Sequence, residues 1–138
     1  MLKIVSWNIN HWNSNTDQRS KARTYLQELH ADYALLQETV RPEGWSADKC
    51  VYREGGIGGA RPWGSAVVSF TDPIQEKLEA RSIYSKRAVC LHRTYPGSLA
   101  IAQTGSVLVL ISAYGLMEEE YAMTTVHKQL TNLTHLFE

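Results

Sequence analysis

Asn8 and Glu38 each close an apolar run, Leu2-Lys3-Ile4-Val5-Ser6-Trp7-Asn8-Ile9-Asn10 in the first case and Tyr33-Ala34-Leu35-Leu36-Gln37-Glu38-Thr39 in the second. Runs of this kind read as buried strands, apolar on both faces. Each ends in polar groups able to hold a metal ion or a phosphate. Two such strands lying side by side would deliver the amide and the carboxylate to one cleft, at the strand edge where ligands of layered α/β folds sit. A carboxylate directly after Ala34-Leu35-Leu36 lies at a buried edge, where an unpaired charge is expensive.

The elements that must position this pair follow from the spacing between them. Thr16 or Asp17 caps a helix that runs to about Ala31, with Ala22, Tyr25, Leu26 and Leu29 recurring at helical intervals. Strand, helix, strand is therefore the opening unit, and if its strands are parallel neighbours the helix covers one face of the sheet. Val40 to Pro62 breaks into Pro, Gly and charge, with a short strand at Cys50-Val51-Tyr52-Arg53. Further apolar runs at Gly64–Phe70, Ala88–Arg93, Ser98–Ala102 and Ser106–Tyr114 suit an antiparallel meander. Asp72 to Arg81 reads as strand or turn. Leu116 to Glu138 reads as a last helix with Val126, Leu130, Leu133 and Phe137 on one stripe.

With 138 residues and 43% hydrophobic content the chain suits one domain, residues 1–138, with a real core. Fourteen basic residues balance fourteen acidic ones, so no whole-molecule field draws in nucleic acid or an anionic membrane. Phosphate binding must be local. Cys50 and Cys90 are too few and too separated for a disulfide framework or a thiolate zinc site, which fits a reducing, cytoplasmic setting. No secretory signal or membrane-spanning run is evident.

Other conspicuous residues have plainer readings. Gly55-Gly56-Ile57-Gly58-Gly59 is a surface loop, since no helix pattern and no Lys-Ser or Lys-Thr pair follows it. Glu118, Glu119 and Glu120 favour a helix start, because consecutive helical positions point apart and do not converge on an ion. His92 is structural, and His11, His30, His127 and His135 show no convergent ligand pattern. Trp12, Trp45 and Trp63 lie in loops, as base-stacking groups or as anchors onto the fold.

Ser6-Trp7-Asn8-Ile9-Asn10, a helix, Leu35-Leu36-Gln37-Glu38-Thr39, the Gly64–Phe70 strand and a strand ending at Ala113-Tyr114 together resemble the first half of the endonuclease/exonuclease/phosphatase superfamily. The resemblance implies half of a four-layer, DNase I-like α/β sandwich, with a mixed, mainly antiparallel sheet and helices on one face. It implies a hydrolase of phosphodiester or phosphomonoester bonds that uses magnesium, with manganese as a substitute. Glu38 matches the glutamate metal ligand, sufficient for a hard cation that keeps several waters. Asn8 matches the asparagine that positions phosphate or bonds within the metal shell. Asn10 stands where some relatives carry an acidic metal ligand, and its amide oxygen is a weaker, uncharged substitute. Tyr114 matches a tyrosine whose hydroxyl contacts the scissile phosphate, and Gln37 supports the glutamate from behind.

The superfamily's downstream Gly-Asp-x-Asn and Ser-Asp-His stretches do not occur in these residues. The resemblance therefore implies a truncated domain whose parent acts on nucleic acid, with small or lipid phosphates as the alternative. The isolated chain, without the groups that activate water, is expected to be inactive or nearly so. A non-catalytic binding or dimerising fragment is the rival from another class. Half a sandwich would expose one sheet face, with Val67, Leu108 and Leu110 in the bare patch, so self-association or pairing with the missing half is expected.

Overall fold

The computed structural model describes residues 1–55, 63–81, 88–90, 98–105 and 108–115. The last-helix expectation at 116–138, most of the glycine-rich loop and His92 lie outside the described residues. Nine strands and one helix are described: β1 (Ile4–Asn8), α1 (Thr16–Glu28), β2 (Tyr33–Thr39), β3 (Cys50–Arg53), β4 (Gly64–Ser69), β5 (Ile74–Glu76), β6 (Glu79–Arg81), β7 (Ala88–Cys90), β8 (Leu99–Thr104) and β9 (Val109–Ala113). The segment of uncertain character before Arg81 thus contributes two short strands.

The opening unit forms as expected. β1 and β2 are parallel neighbours, paired Ile4 with Tyr33 through Asn8 with Gln37. Between them α1 begins with a reciprocal cap, in which the Asn15 side chain accepts from the Gln18 amide and the Gln18 side chain accepts from the Asn15 amide, both at 2.9 Å. The cap is therefore Asn15 rather than Thr16 or Asp17, and the helix stops three residues before Ala31. His30 at φ 48° turns the chain out of the helix, while the Lys3 ammonium donates to the Leu29 carbonyl, a cation placed at the negative helix end.

The first sheet has the order β1-β2-β4-β3, antiparallel except for β1 with β2. A second sheet, β5-β8-β9, is antiparallel throughout, and β6 and β7 form a separate ribbon. The later strands therefore do not form a single meander: β4 completes the first sheet, and β8 and β9 build another one.

Alternation along β2 explains the layers. Ala34 and Leu36 pack with Leu26 of α1 and with Ala66 and Val68 of β4. Tyr33 and Leu35 face the other way, against Val67, Ala100, Ala102 and Leu110. Val67 is fully buried and Leu110 is 3% exposed, so the expected bare face is covered by the chain's own second sheet. Burying a side chain of that size contributes about 1.5–3 kcal/mol, which is why the hairpin closes over the sheet. β1 also departs from expectation: it is an edge strand, half-exposed along its length with Ile4 42% exposed, because it has a neighbour on one side only among the described residues.

Candidate functional site

The parallel register places Asn8 beside Gln37, one residue before Glu38. Simple alternation would put Glu38 on the face that carries Ala34 and Leu36, under α1. A bulge between Leu36 and Thr39 breaks that alternation. Glu38 takes a left-handed conformation, φ 50°, and Thr39 replaces it on the helix-covered side, where its hydroxyl meets His11 Nδ1 at 3.3 Å. Bulges re-aim a side chain in this way.

Freed from the pleat, the Glu38 carboxylate reaches the strand next door. Asn8 Nδ2 donates to Glu38 Oε1 at 3.2 Å, and Asn8 Oδ1 accepts the Asn10 amide at 3.2 Å. These two bonds settle which end of the Asn8 amide is which, since the reverse orientation would set oxygen against carboxylate and nitrogen against N–H. Asn10 is itself left-handed, φ 55° and ψ 38°, with an exposed side chain, and it opens a single 3-10 turn, His11–Asn13. One left-handed residue, Asn10, lies two places past the end of β1 and another, Glu38, lies in the bulge of β2, and the side chains of Asn8 and Glu38 meet between them.

Gln37 reaches into the interior instead. Its Nε2 donates to the Leu35 carbonyl at 3.1 Å and to Ser112 Oγ at 3.0 Å, and Ser112 Oγ donates to the Leu36 carbonyl at 2.8 Å. Support for Glu38 therefore runs through the backbone of β2, clamped to β9, and not through a Gln37 bond to the carboxylate. Ser112 went unnoticed in the sequence, where it is one polar residue in an apolar strand. The inward-facing period of β9 is the signal that could have found it. Tyr114 lies two residues beyond Ser112; its amide donates to the Ser98 carbonyl at 2.8 Å, and its ring meets Trp63 edge-on, centroids 5.2 Å apart. Trp45 is an anchor, packed on the helix-side core and edge-on to Phe70 at 6.1 Å.

His11 is 8% exposed. Burial first, and the Arg19 guanidinium second, hold its pKa down to about 4. Its imidazole is neutral at pH 7, and with the Thr39 hydroxyl proton assigned to the shorter bond, to the Val40 carbonyl at 2.7 Å, the ring hydrogen is assigned to Nδ1, facing Thr39.

The donors at the strand ends are all oxygens and amides, the chemistry a hard divalent cation prefers. Among the described residues no three His, Cys, Asp or Glu side chains cluster as a cage. A single carboxylate with amide neighbours fits an ion that retains most of its water, and does not fit a fully protein-ligated site.

No protein-family profile and no curated protein matches the sequence. Among solved structures the chain is similar to D. rerio TDP2 humanized by 14 mutations, a member of the endonuclease/exonuclease/phosphatase superfamily, with a TM-score of 0.62 and 14% sequence identity. The match covers 99% of this chain and 56% of that one. No helix among the described residues is long and apolar enough to cross a membrane. The chain shares the fold of that structure and spans little more than half its length.

Proposed function

We propose that this chain is the metal-binding portion of a divalent-metal-dependent phosphoesterase whose substrate is a phosphodiester of nucleic acid. One observation carries the reading: Asn8 Nδ2 lies 3.2 Å from Glu38 Oε1, at the ends of two parallel strands with left-handed backbone at Glu38 and Asn10. The shared fold supports it.

In this reading the Glu38 carboxylate holds magnesium or manganese, with the exposed Asn10 amide as a supplementary oxygen. The bound ion would supply a Lewis acid for the phosphoryl oxygens. Asn8 orients the carboxylate and offers an amide toward the phosphate, the Tyr114 hydroxyl contacts the scissile phosphate, and the Gln37–Ser112 clamp keeps the end of β2 in place. In-line attack also needs a base for the water and donors for the developing charge. The resemblance assigns those to stretches outside these residues, so the 138-residue chain binds the cation without turning over.

Calorimetric titration of magnesium, then manganese, tests the reading. Weak binding in the wild type that disappears in Glu38→Ala supports it, and the absence of any heat favours a non-catalytic module. Cleavage of a labelled oligonucleotide by the pure chain, lost in Glu38→Ala, would show that the base is not needed from elsewhere. Release of phosphate from a soluble or lipid phosphomonoester, with the oligonucleotide left intact, would move the substrate to the phosphatase class.

A further inference from the structure

Behind the strand ends, between α1 and the segment that follows β2, lies a cleft of about 260 Å³ to which neither Asn8 nor Glu38 contributes. Its lining is unlike the chain as a whole. Arg19, Arg23 and Arg41 face it against the single carboxylate of Glu43, in a protein whose charges balance as a whole. Two of these arginines are hydrogen-bonded in place, and Arg41 lies 5.6 Å from the centre of the Tyr52 ring. Arg19 donates through Nε and Nη2 to the His11 carbonyl at 3.2 and 3.0 Å, and the Arg23 guanidinium lies 4.9 Å from the centre of the Trp45 ring while bonding the Gly44 carbonyl. Guanidinium groups fixed in this way are suited to a phosphate, which they bind through paired N–H donors. Ile9, Leu26 and Leu36 give the same cleft an apolar floor.

A second observation is independent of the charge. His11 lines the cleft, is nine-tenths buried, and its Nε2 is buried without a hydrogen-bond partner. With the ring hydrogen committed to Thr39, Nε2 is a bare acceptor. A buried acceptor left unpaired is unfavourable, and what completes it brings an N–H or an O–H.

We propose that this cleft binds a small phosphorylated aromatic of nucleoside monophosphate size. The phosphate lies among the arginines, the ring lies on the apolar floor beside Trp45, and an amino or hydroxyl group donates to His11 Nε2. The volume is near the lower end for small-ligand sites, roughly 300–1,000 Å³, which favours one nucleotide over a dinucleotide. The site is separate from the Asn8–Glu38 pair and does not depend on the function proposed for it.

The test uses the 138-residue chain in EDTA, so that no divalent ion at Glu38 contributes, and titrates AMP, adenosine and inorganic phosphate while ¹⁵N NMR follows the backbone amides and the His11 ring. The expected result is saturable binding of AMP with shifts at Arg19, Arg23, Arg41 and Trp45 and movement of the His11 Nε2 resonance. Adenosine and phosphate should each bind at least tenfold more weakly. Ser20→Trp, which fills the cleft from an exposed helix position, should abolish AMP binding with the fold intact by circular dichroism, and Arg41→Ala should weaken it about tenfold. Glu38→Ala should leave it unchanged. AMP binding that survives Ser20→Trp, shifts confined to Asn8 and Glu38, equal binding of phosphate alone, or no saturation at millimolar AMP would each overturn the proposal. If Ser20→Trp fails to fold, Arg41→Ala with the shift map decides the matter in the same way.

Discussion

Glu38 holds a backbone conformation, φ 50°, that costs a side-chain-bearing residue about 1–2 kcal/mol. The residue sits in an apolar strand, at the bulge and in contact with Asn8. Strain of this kind persists where the surroundings over-determine it, and it clusters at functional positions. Glu38→Gly should therefore be more stable than Glu38→Ala by about 1 kcal/mol, the reverse of the order in a regular strand, while both lose magnesium binding. Paired urea melts with calorimetry check this. His11 gives a pH dependence with a definite sign. Its folded pKa of about 4 lies below the ordinary 6.5, so the unfolded chain takes up the proton first as pH falls. The stabilisation is complete above about pH 6.5 and is lost as pH drops through 4, with an upper bound of about 3 kcal/mol that solvent screening on the cleft side reduces. Urea melts at pH 7 and pH 5 should show the drop, and His11→Phe should flatten that part of the curve.

The strands hold their positions through a few contacts that single substitutions can break. A methyl group added at Gly64 would lie 1.9 Å from the Arg53 carbonyl oxygen, a backbone atom that cannot swing aside. Gly64→Ala should force β3 from β4 and destabilise by about 1–3 kcal/mol, read as a lowered melting temperature. Ser112→Ala removes one of the two acceptors of the buried Gln37 amide and the donor to the Leu36 carbonyl. The expected cost is about 1–3 kcal/mol, with magnesium affinity falling as the end of β2 loosens. Rescue of both by Ser112→Thr would show that the hydroxyl, and not the packing, is responsible.

At the scale of the molecule, the two sheets cover each other, so a partner is not needed to hide Val67 or Leu110. We propose that self-association uses β1 instead. Ile4, 42% exposed, opens a strand whose far edge carries no described neighbour, and Leu2 just before it is 54% exposed; such an edge invites another strand. Sedimentation should show association that rises with concentration in the wild type and falls in Ile4→Lys. A profile identical for both proteins would rule out this edge.

Composition, periodicity and capping chemistry are local properties, and from them the β1–α1–β2 unit, the strands at Cys50 and Gly64, and the pairing of Asn8 with Glu38 at one edge were legible in the residues alone. Runs of alternating or continuous apolar side chains need only their neighbours in the chain to declare themselves. What the sequence could not assign depended on partners distant along it. Which strands share a sheet is settled by packing, so β8 and β9 went to a second sheet although their runs look like that of β4. The bulge that turns Glu38 toward Asn8, the bond from Gln37 to Ser112, and the burial of His11 under Arg19 all arise where separate elements meet. The residue types advertised metal or phosphate chemistry; only the tertiary structure determined which atoms meet at the strand ends.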